Sequence, residues 1–373
     1  MDNTVRNILP KEKNMERPPG IHNVSEYLSR INAYITQKRQ GDSLLVYRGE
    51  PEIYDKPCRP NIFRKNVLNG NRFFEKNLFD TMRQNKLTGE KRYLDNAIDA
   101  QHGEFPSRLL DVSYNCLVAL YFAVTPYYHQ EETFLDKKDG MVYLFFIDKI
   151  FSPSAGNTND SYETIINRDQ EWYLNNTIFW NNHKFIDHAK LNSRIIAQQG
   201  AFILFPGEEP ESLPKYMYCG VRIPGEAKAA IRQELNLLFR IHTGSIYPEI
   251  INLVRELSGK SRRLNTEEFN CRNELQYALE QMEKELVYYL DYAIERKKHD
   301  KIDQILVYIE RRINHYRRGM LEFLQYERKM ETPLLDEESR KQVRERYNQS
   351  IEQFSDAIEE YHIGKISRKA LRI

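Results

Sequence analysis

The arrangement of apolar and polar positions divides the chain into a mixed first part and a helical last part. Up to about residue 258, short apolar runs of strand length alternate with helical periodicities, and residues 141–147 are apolar at every position, as in a central strand. Beyond residue 262, apolar residues repeat at alternating spacings of four and three over three long segments. The pattern predicts an α+β class, with a mixed-sheet domain at 21–258 and a three-helix antiparallel bundle at 262–373.

Two other segments have a less regular pattern. Residues 1–20 are polar and rich in proline, so they predict a disordered leader with little to bury. Residues 152–182 are rich in Asn and Ser, and they predict a long, partly irregular connection of the kind that often frames a site.

The stretch Gln101–Ala123 places charges among apolar residues. Leucine and valine positions surround Arg108 and Asp111, as in the core of a strand. Because Arg and Asp are seldom buried without a partner, each needs the other, a neighbouring side chain or a ligand. Ser113 is predicted to cap a helix at Tyr114–Val124.

That helix carries Ala119 and Ala123 four residues apart, which predicts a small face suited to close packing. A second polar motif, Tyr47-Arg48-Gly49, ends an earlier strand at 43–49. An arginine beside a glycine at a strand end either faces a cleft, where a backbone approaches a ligand, or caps a turn carbonyl.

Composition excludes several classes of protein. The 55 Lys and Arg residues nearly balance the 54 Asp and Glu residues, so no global field steers the protein to nucleic acid or an anionic membrane. Its four cysteines are scattered without a CxxC pair, which argues against a disulfide framework or a structural zinc site and suits a reducing compartment. No apolar run approaches the length of a membrane span and no signal peptide is evident, so we expect a cytoplasmic protein.

Motifs of known chemistry are also missing from the sequence. It contains no P-loop, no dinucleotide-binding glycine pattern, no Ser-His-Asp order and no metal-ligand cluster. His102 is the one histidine inside a dense motif, and it is therefore a candidate general acid or base. The alternative for His102 is a structural hydrogen bond beside a turn.

Five motifs, taken in order, resemble the FRG domain, a family named for its aromatic-Arg-Gly signature, over roughly residues 21–258. They are Tyr47-Arg48-Gly49, Pro60 with Phe63-Arg64, Gln101-His102 with Pro106-Ser107-Arg108-Leu109-Leu110-Asp111, Ala119-Leu120-Tyr121-Phe122-Ala123, and Arg194-Ile195 with Gln198-Gln199-Gly200 and Phe202.

The chain departs from the family pattern at two places. Gly103-Glu104 stands where the family has Tyr-Gly, which changes the turn after His102. Val112 replaces the usual Trp after the Asp, so a ligand that stacks on that Trp would lose its platform here. Ser113 replaces the usual Thr.

The resemblance implies a bacterial or phage-encoded protein associated with defence against phage. It brings no settled activity. The motif residues predict a polar pocket for a nucleotide, nucleic-acid or phage-derived ligand, and the cofactor stays open, with NAD or another nucleotide as the candidates. The candidate catalytic residues are His102, Asp111 and Arg48. The candidate ligand-binding residues are Tyr47, Gly49, Arg64, Gln101, Arg108, Ser113, Gln198 and Gln199.

The order of motifs is also similar, as a distant analogy, to that of ADP-ribosyltransferases. In that scheme Arg48 would hold a phosphate of NAD, and Ser113 would fall near the conserved serine motif. Gln198 or Gln199 would stand near the catalytic Glu, whose negative charge a neutral amide cannot replace.

Two functions of different class therefore stay open. One is an enzyme acting on a nucleotide or nucleic acid, with arginines binding phosphate. The other is a non-catalytic sensing or interaction module, whose helical bundle mediates association, for example into a homo-oligomer. In a third reading Arg108 and Asp111 are only a buried structural pair, and Asp111→Asn would then cost about 3–5 kcal/mol of stability.

Overall fold

The computed structural model of the protein describes most of the chain. The described residues are 19–38, 43–87, 92–101, 105–125, 133–187, 193–207, 213–262, 264, 266–296 and 302–373. Residues 1–18 of the predicted leader, and the candidate residue His102, lie outside them. The chain divides into two compact units, residues 1–262 and 263–373.

The first unit is built on seven strands that form one sheet. The strands are β1 (Leu44–Glu50), β2 (Leu109–Ser113), β3 (Gly140–Ile147), β4 (Ile150–Phe151), β5 (Lys184–Ile186), β6 (Gly200–Leu204) and β7 (Tyr218–Ile223). Their order across the sheet is β4-β5-β6-β2-β1-β3-β7. The β4–β5 pair is parallel and the other neighbours are antiparallel, so the sheet is mixed.

Helices precede, connect and follow these strands along the chain. They are α1 (Val24–Lys38), α2 (Asn61–Arg64), α3 (Phe74–Gln84), α4 (Tyr93–Gln101), α5 (Cys116–Val124), α6 (Gly156–Asn167), α7 (Glu171–Leu174), α8 (Ser193–Gln198), α9 (Lys228–Phe239), α10 (Thr243–Ile246) and α11 (Ile250–Ser261). Short 3-10 turns lie at Thr133–Lys137, Thr177–Asn181, Lys215–Met217 and Gly225–Ala227.

The sheet consists of two well-paired halves that meet at one position. Strand β1 pairs with β3 along its whole length, from Leu44 opposite Ile147 to Glu50 opposite Met141. Strand β2 pairs with β6 over all five of its residues. Between β1 and β2 the register has one pair, Tyr47 opposite Ser113. Beyond that pair the two strands part and leave a gap in the middle of the sheet.

Helix α5 packs directly across β1 at Gly49. A Cβ atom on Gly49 would lie 1.8 Å from the main-chain oxygen of Ala119 and 2.7 Å from the nitrogen of Ala123. Ala119 and Ala123 are both fully buried, so the predicted small face is confirmed. The glycine of the aromatic-Arg-Gly motif is therefore required for contact between helix and strand.

The structure corrects the predicted cap of α5. Ser113 is the last residue of β2, and the helix is capped by Asn115, whose side chain accepts hydrogen bonds from the backbone N–H groups of Leu117 and Val118. The Ser113 hydroxyl instead donates to the main-chain oxygen of Gln198 at 2.7 Å. Asn and Ser are comparable caps, so the sequence could not distinguish two such residues standing two positions apart.

The connection at 152–182, predicted to be partly irregular, contains a helix that the sequence did not indicate. Residues Gly156–Asn167 form helix α6, which buries Tyr162, Ile165 and Ile166 against the first unit. Polar residues fill most of its first turns, so the apolar spacing is visible only over its last turns.

The second unit is helical, which confirms the α+β class of the chain. It contains α12 (Cys271–Arg296), α13 (Ile302–Glu327), α14 (Glu337–Glu360) and α15 (Arg368–Leu371). Glu285 of α12 binds Arg312 of α13, with Oε1 and Nε 2.8 Å apart, while Tyr289 of α12 contacts Tyr308 of α13. From Glu285 to Tyr289 the residue number in α12 rises, while that of the partner in α13 falls from Arg312 to Tyr308. The two helices are therefore antiparallel.

The core of this unit lies along the predicted apolar seams. Its buried members include Leu279, Met282, Leu286, Leu306, Ile309, Ile313, Val343, Tyr347, Ile351, Phe354 and Ile358. Across the described part of the chain, no helix has both the length and the apolar character that crossing a membrane requires.

Candidate functional site

A cavity of about 230 Å³ opens where β1 and β2 part. It is lined by residues of both strands, of the segment after β1, and of helix α8. Eight of the residues predicted from the motifs lie in its wall. These are Tyr47, Arg48, Gly49, Arg64, Gln101, Asp111, Ser113 and Gln198.

Arg48 spans the gap between the two strands. Its Nη1 atom donates to the main-chain oxygen of Asp111 at 2.7 Å, and its Nε lies 3.1 Å from Oε1 of Glu50. The guanidinium thus donates to the main-chain oxygen of Asp111 at a point where β1 and β2 no longer pair. The side chain is partly exposed, so the rest of its donor edge remains accessible from the cavity.

Glu50 is the buried anchor of this wall. Its carboxylate is 1% exposed and accepts hydrogen bonds from Arg48, from Nη2 of Arg64 at 2.5 Å, and from the backbone N–H of Cys58 at 3.2 Å. One carboxylate therefore orients two guanidinium groups, which leaves excess positive charge at the cavity.

Arg64 is held on two further sides. Its guanidinium carbon lies 4.0 Å from the centre of the Tyr54 ring, and its Nε donates to the main-chain oxygen of Arg59 at 2.8 Å. A stacked and hydrogen-bonded guanidinium loses little further freedom when it binds an anion.

Asp111 presents its carboxylate to the cavity. Its side chain is exposed, yet the surrounding walls desolvate it enough to raise the pKa of the carboxyl above its ordinary value, although Arg48 and Arg194 act in the opposite direction. Within the described residues, no other residue donates a hydrogen bond to this carboxylate. A carboxyl in this setting can accept or donate a proton.

The opposite wall comes from α8 and the segment around α10. Arg194 is 9% exposed, its Nε lies 3.5 Å from Oε1 of Glu249, and its guanidinium carbon lies 4.6 Å from the centre of the Tyr247 ring. Gln198 donates from Nε2 to the main-chain oxygen of Ile246 at 3.3 Å. This wall repeats the arrangement of the first, with an arginine set between a carboxylate and an aromatic ring.

Sequence reasoning missed several members of the site. Arg194 was visible as the first residue of the late motif, and Glu50 directly follows the aromatic-Arg-Gly signature. Tyr54 and Tyr247 stand in segments that carry no motif, so nothing in the sequence marked them.

Arg108 lies outside the cavity lining and belongs to a closed network. Its Nε lies 2.8 Å from Oε2 of Glu75, and its Nη1 donates to the main-chain oxygens of Phe205 and Gly207 at 3.1 and 3.0 Å. Tyr162 donates its hydroxyl to Glu75 at 2.7 Å. Arg108 and Glu75 are 4% and 2% exposed, so the buried charge is paired with a neighbour and not with Asp111.

The two charges of the motif, Arg108 and Asp111, have different surroundings. Asp111 lies within β2, whereas Arg108 lies in the bend just before this strand, where its side chain reaches Glu75 instead of the cavity. Gln101 lies near both, and its amide donates to the main-chain oxygen of Leu109 at 2.7 Å and to Oγ of Ser107 at 2.9 Å.

Gln199 also lies outside the cavity lining. Its side chain is exposed, its φ of 46° places it in the left-handed region, and its main-chain oxygen accepts from the N–H of Tyr114. Gln199 thus makes the turn between α8 and β6, while Gln198 faces the cavity.

Residues 43–132 match the FRG domain family. The match confirms the resemblance over the first four motifs, and the late motif at 194–202 follows beyond it. No curated protein and no solved structure shows significant similarity to the chain. The FRG match thus covers β1, β2 and α5, which form one wall of the cavity, whereas Arg194, Gln198 and Tyr247 of the opposite wall lie outside it.

Proposed function

We propose that the cavity of the FRG domain binds a nucleotide, either free or at the end of a nucleic acid. The observation that carries the proposal is the set of three arginines, Arg48, Arg64 and Arg194, in the wall of one cavity. Guanidinium groups present several donors in a fixed plane that matches phosphate oxygens. Because Arg48 and Arg64 share the carboxylate of Glu50, this wall favours an anionic ligand.

Aromatic side chains in the same walls suit the remainder of a nucleotide. Tyr54 and Tyr247 line the cavity beside their arginines, and Phe122 contacts Tyr247 with ring centres 6.1 Å apart. Aromatic faces bind nucleobases by stacking, with little dependence on base identity. The combination supports a ligand that has both a phosphate and a planar ring.

Catalysis in this cavity would fall to Asp111, with Arg48 stabilising developing negative charge. Among the described lining residues, Asp111 and Glu50 are the carboxylates, and Glu50 is buried between two arginines. Asp111 is therefore the proposed acid or base. His102, which stands outside the described residues, is its proposed partner.

A non-catalytic sensing function is the alternative, and one observation favours it. Among the described residues, α8 presents Arg194 and Gln198 to the cavity, so this helix contributes a cation and a neutral amide but no carboxylate. A transferase that stabilises a cationic centre needs a carboxylate at such a position. Ligand binding without turnover would fit this wall.

A panel of nucleotides separates the two functions. Thermal melting with AMP, ADP, NAD and short RNA should show stabilisation of the wild type that rises with ligand concentration, by about 2.7 kcal/mol at a hundredfold excess over Kd. Chromatography of the same mixtures detects turnover. Stabilisation with intact ligand supports sensing, and consumption that Asp111→Asn abolishes supports catalysis.

The control for this experiment is Arg222→Ala, compared with Arg48→Ala. Arg222 forms a partly exposed ion pair with Asp139, with Nη1 and Oδ2 2.7 Å apart, and does not line the cavity. Loss of ligand stabilisation in Arg48→Ala alone supports the site. No response of the wild type to any of the nucleotides would refute the proposal.

The FRG resemblance extends the proposal to a bacterial cytoplasmic protein that defends against phage. Plaque counts on bacteria expressing the wild type or Arg48→Ala test this role, and equal protection by both would separate defence from the cavity.

A further part of the proposal concerns self-association of the chain through its helical unit. We propose that residues 262–373 mediate homo-oligomer formation, because their helices expose large apolar side chains outside the buried seam, among them Val287, Tyr288 and Val307. Light scattering of the full chain measures its mass, and a monomer at all concentrations would remove this part of the proposal.

A further inference from the structure

A second, smaller cavity of about 70 Å³ adjoins the cavity between β1 and β2, which is called the main cavity below. Its lining shares Arg48, Asn61, Gln101 and Asp111 with the main cavity and adds Arg59. A cavity of this size has room for more than one water-sized group. A ligand in the main cavity can therefore extend a polar group past Arg48 into the smaller one.

Arg59 is the cationic group that belongs to the smaller cavity alone. Its Nε is enclosed by protein and makes no hydrogen bond within the described residues. A buried donor without a partner is costly, so such a group favours a ligand that can accept from it.

Arg59 also stands beside another guanidinium. Its main-chain oxygen holds Arg64, and its pKa is lowered first by burial and then by that neighbouring charge. No described carboxylate pairs with Arg59, since Glu50 is taken by Arg48 and Arg64. Around the junction of the two cavities, three arginines face the two carboxylates of Glu50 and Asp111, which leaves net positive charge.

We infer that the smaller cavity is a phosphate subsite in which Arg59 binds the terminal phosphate of a nucleoside diphosphate. The inference rests on the proposed function for the position of the nucleoside, which would lie in the main cavity. Arg48, shared by both cavities, would then contact the phosphate nearer to the ribose. A monophosphate would fill the main cavity and leave Arg59 without an acceptor.

Calorimetric titration of AMP and ADP tests this assignment. The wild type should bind ADP at least about tenfold more tightly than AMP, as expected for one additional charge-assisted hydrogen bond. Arg59→Ala should reduce ADP affinity to that of AMP and leave AMP affinity within about twofold. Arg222→Ala should keep the wild-type preference, and melting curves without ligand establish that each variant is folded.

Two results overturn the subsite. One is equal affinity of the wild type for AMP and ADP. The other is an equal loss for both nucleotides in Arg59→Ala, which would make Arg59 a general electrostatic contributor.

Inorganic pyrophosphate distinguishes failure of the subsite from failure of the nucleotide proposal. If neither nucleotide binds but pyrophosphate raises the Tm of the wild type and not of Arg59→Ala, the nucleotide proposal fails, and Arg59 is a phosphate-binding residue without a nucleoside site beside it. If both nucleotides bind and Arg59→Ala responds to every probe as the wild type does, the nucleotide proposal stands and the subsite fails. If no probe binds the wild type, both fail.

Discussion

Two arginine–carboxylate groups lie close together in the first unit, one closed and one open. Arg108 and Glu75 are enclosed on all sides, and backbone oxygens and Tyr162 complete their hydrogen bonds. The second group, Arg48 and Glu50, also has a buried carboxylate. Its arginine side chain, however, is 19% exposed and faces a cavity. The first group is complete without a ligand, whereas the second keeps donors available.

The difference shows that one motif can serve both stability and binding. Arg108 and Asp111 stand three residues apart in the same motif, yet Arg108 is buried just before β2 while Asp111, within β2, lines the cavity. A charge that is buried and fully paired acts on folding, while a charge at a cavity acts on ligands. The comparison can be tested by substitution at each position.

The largest effect is expected at the closed group. Arg108→Met should lower the free energy of unfolding by about 3–5 kcal/mol, because Glu75 would be left as a buried charge without its ion-pair partner. Urea unfolding at neutral pH measures the change. A loss below about 1 kcal/mol would show that Glu75 is not dependent on Arg108.

A slightly smaller effect is expected at Gly49, which lies in β1 between Arg48 and Glu50 of the open group and packs against α5. Gly49→Ala places a Cβ against the backbone oxygen of Ala119, and an overpacked core typically loses about 1–3 kcal/mol. Gly259→Ala is the control, since a Cβ there meets nothing within 4 Å. Because alanine is favoured over glycine within a helix, this variant should gain up to about 1 kcal/mol in the free energy of unfolding. If both variants behaved alike, the close contact between β1 and α5 would not be a constraint.

Arg48→Ala should cost less stability than either of these changes. The change removes two hydrogen bonds, one to Glu50 and one to the main-chain oxygen of Asp111, but Glu50 keeps those from Arg64 and Cys58. The expected loss is therefore about 1–2 kcal/mol in total for two bonds of typical net strength. Unfolding under the same conditions as for Arg108→Met gives the comparison directly. A loss as large as that of Arg108→Met would mean that the open group is also a structural pair.

The smallest effect, at Asp111, should have the opposite sign. Its pKa is raised by desolvation, so the folded state binds the proton more tightly than the unfolded state, and stability from this group falls as pH rises through the folded value. Asp111→Asn should therefore raise the Tm at pH 7. The gain should disappear below the ordinary pKa of Asp, where the wild type is protonated in both states.

That result would also check in solution that Arg108 pairs with Glu75 and not with Asp111. A structural pair of Arg108 with Asp111 predicts a large loss at Asp111→Asn. A lower Tm of Asp111→Asn at pH 7 would contradict the desolvated position of the Asp111 carboxyl at the cavity.

The sequence predicts local elements well and distant partners poorly. The apolar runs located β1 and β3, and the spacing of Ala119 and Ala123 predicted the close packing that Gly49 accepts. Periodicity is local, so such features are accessible without a structure.

The partners of the charges depend on long-range packing instead. Glu75 reaches Arg108 from helix α3, and Arg194 reaches the cavity only because β6 pairs with β2. The sequence could indicate that Arg108 needed a partner, but it could not say which of the many carboxylates would supply it.

The central claim is that the gap between β1 and β2 is the ligand site, and hydrogen–deuterium exchange of the full chain tests it most directly. The exchange of backbone amides is compared with and without a saturating nucleotide. The account predicts slower exchange in peptides covering residues 44–64, 109–113 and 193–200. Unchanged exchange in all three, with slowing confined to residues 263–373, would contradict it.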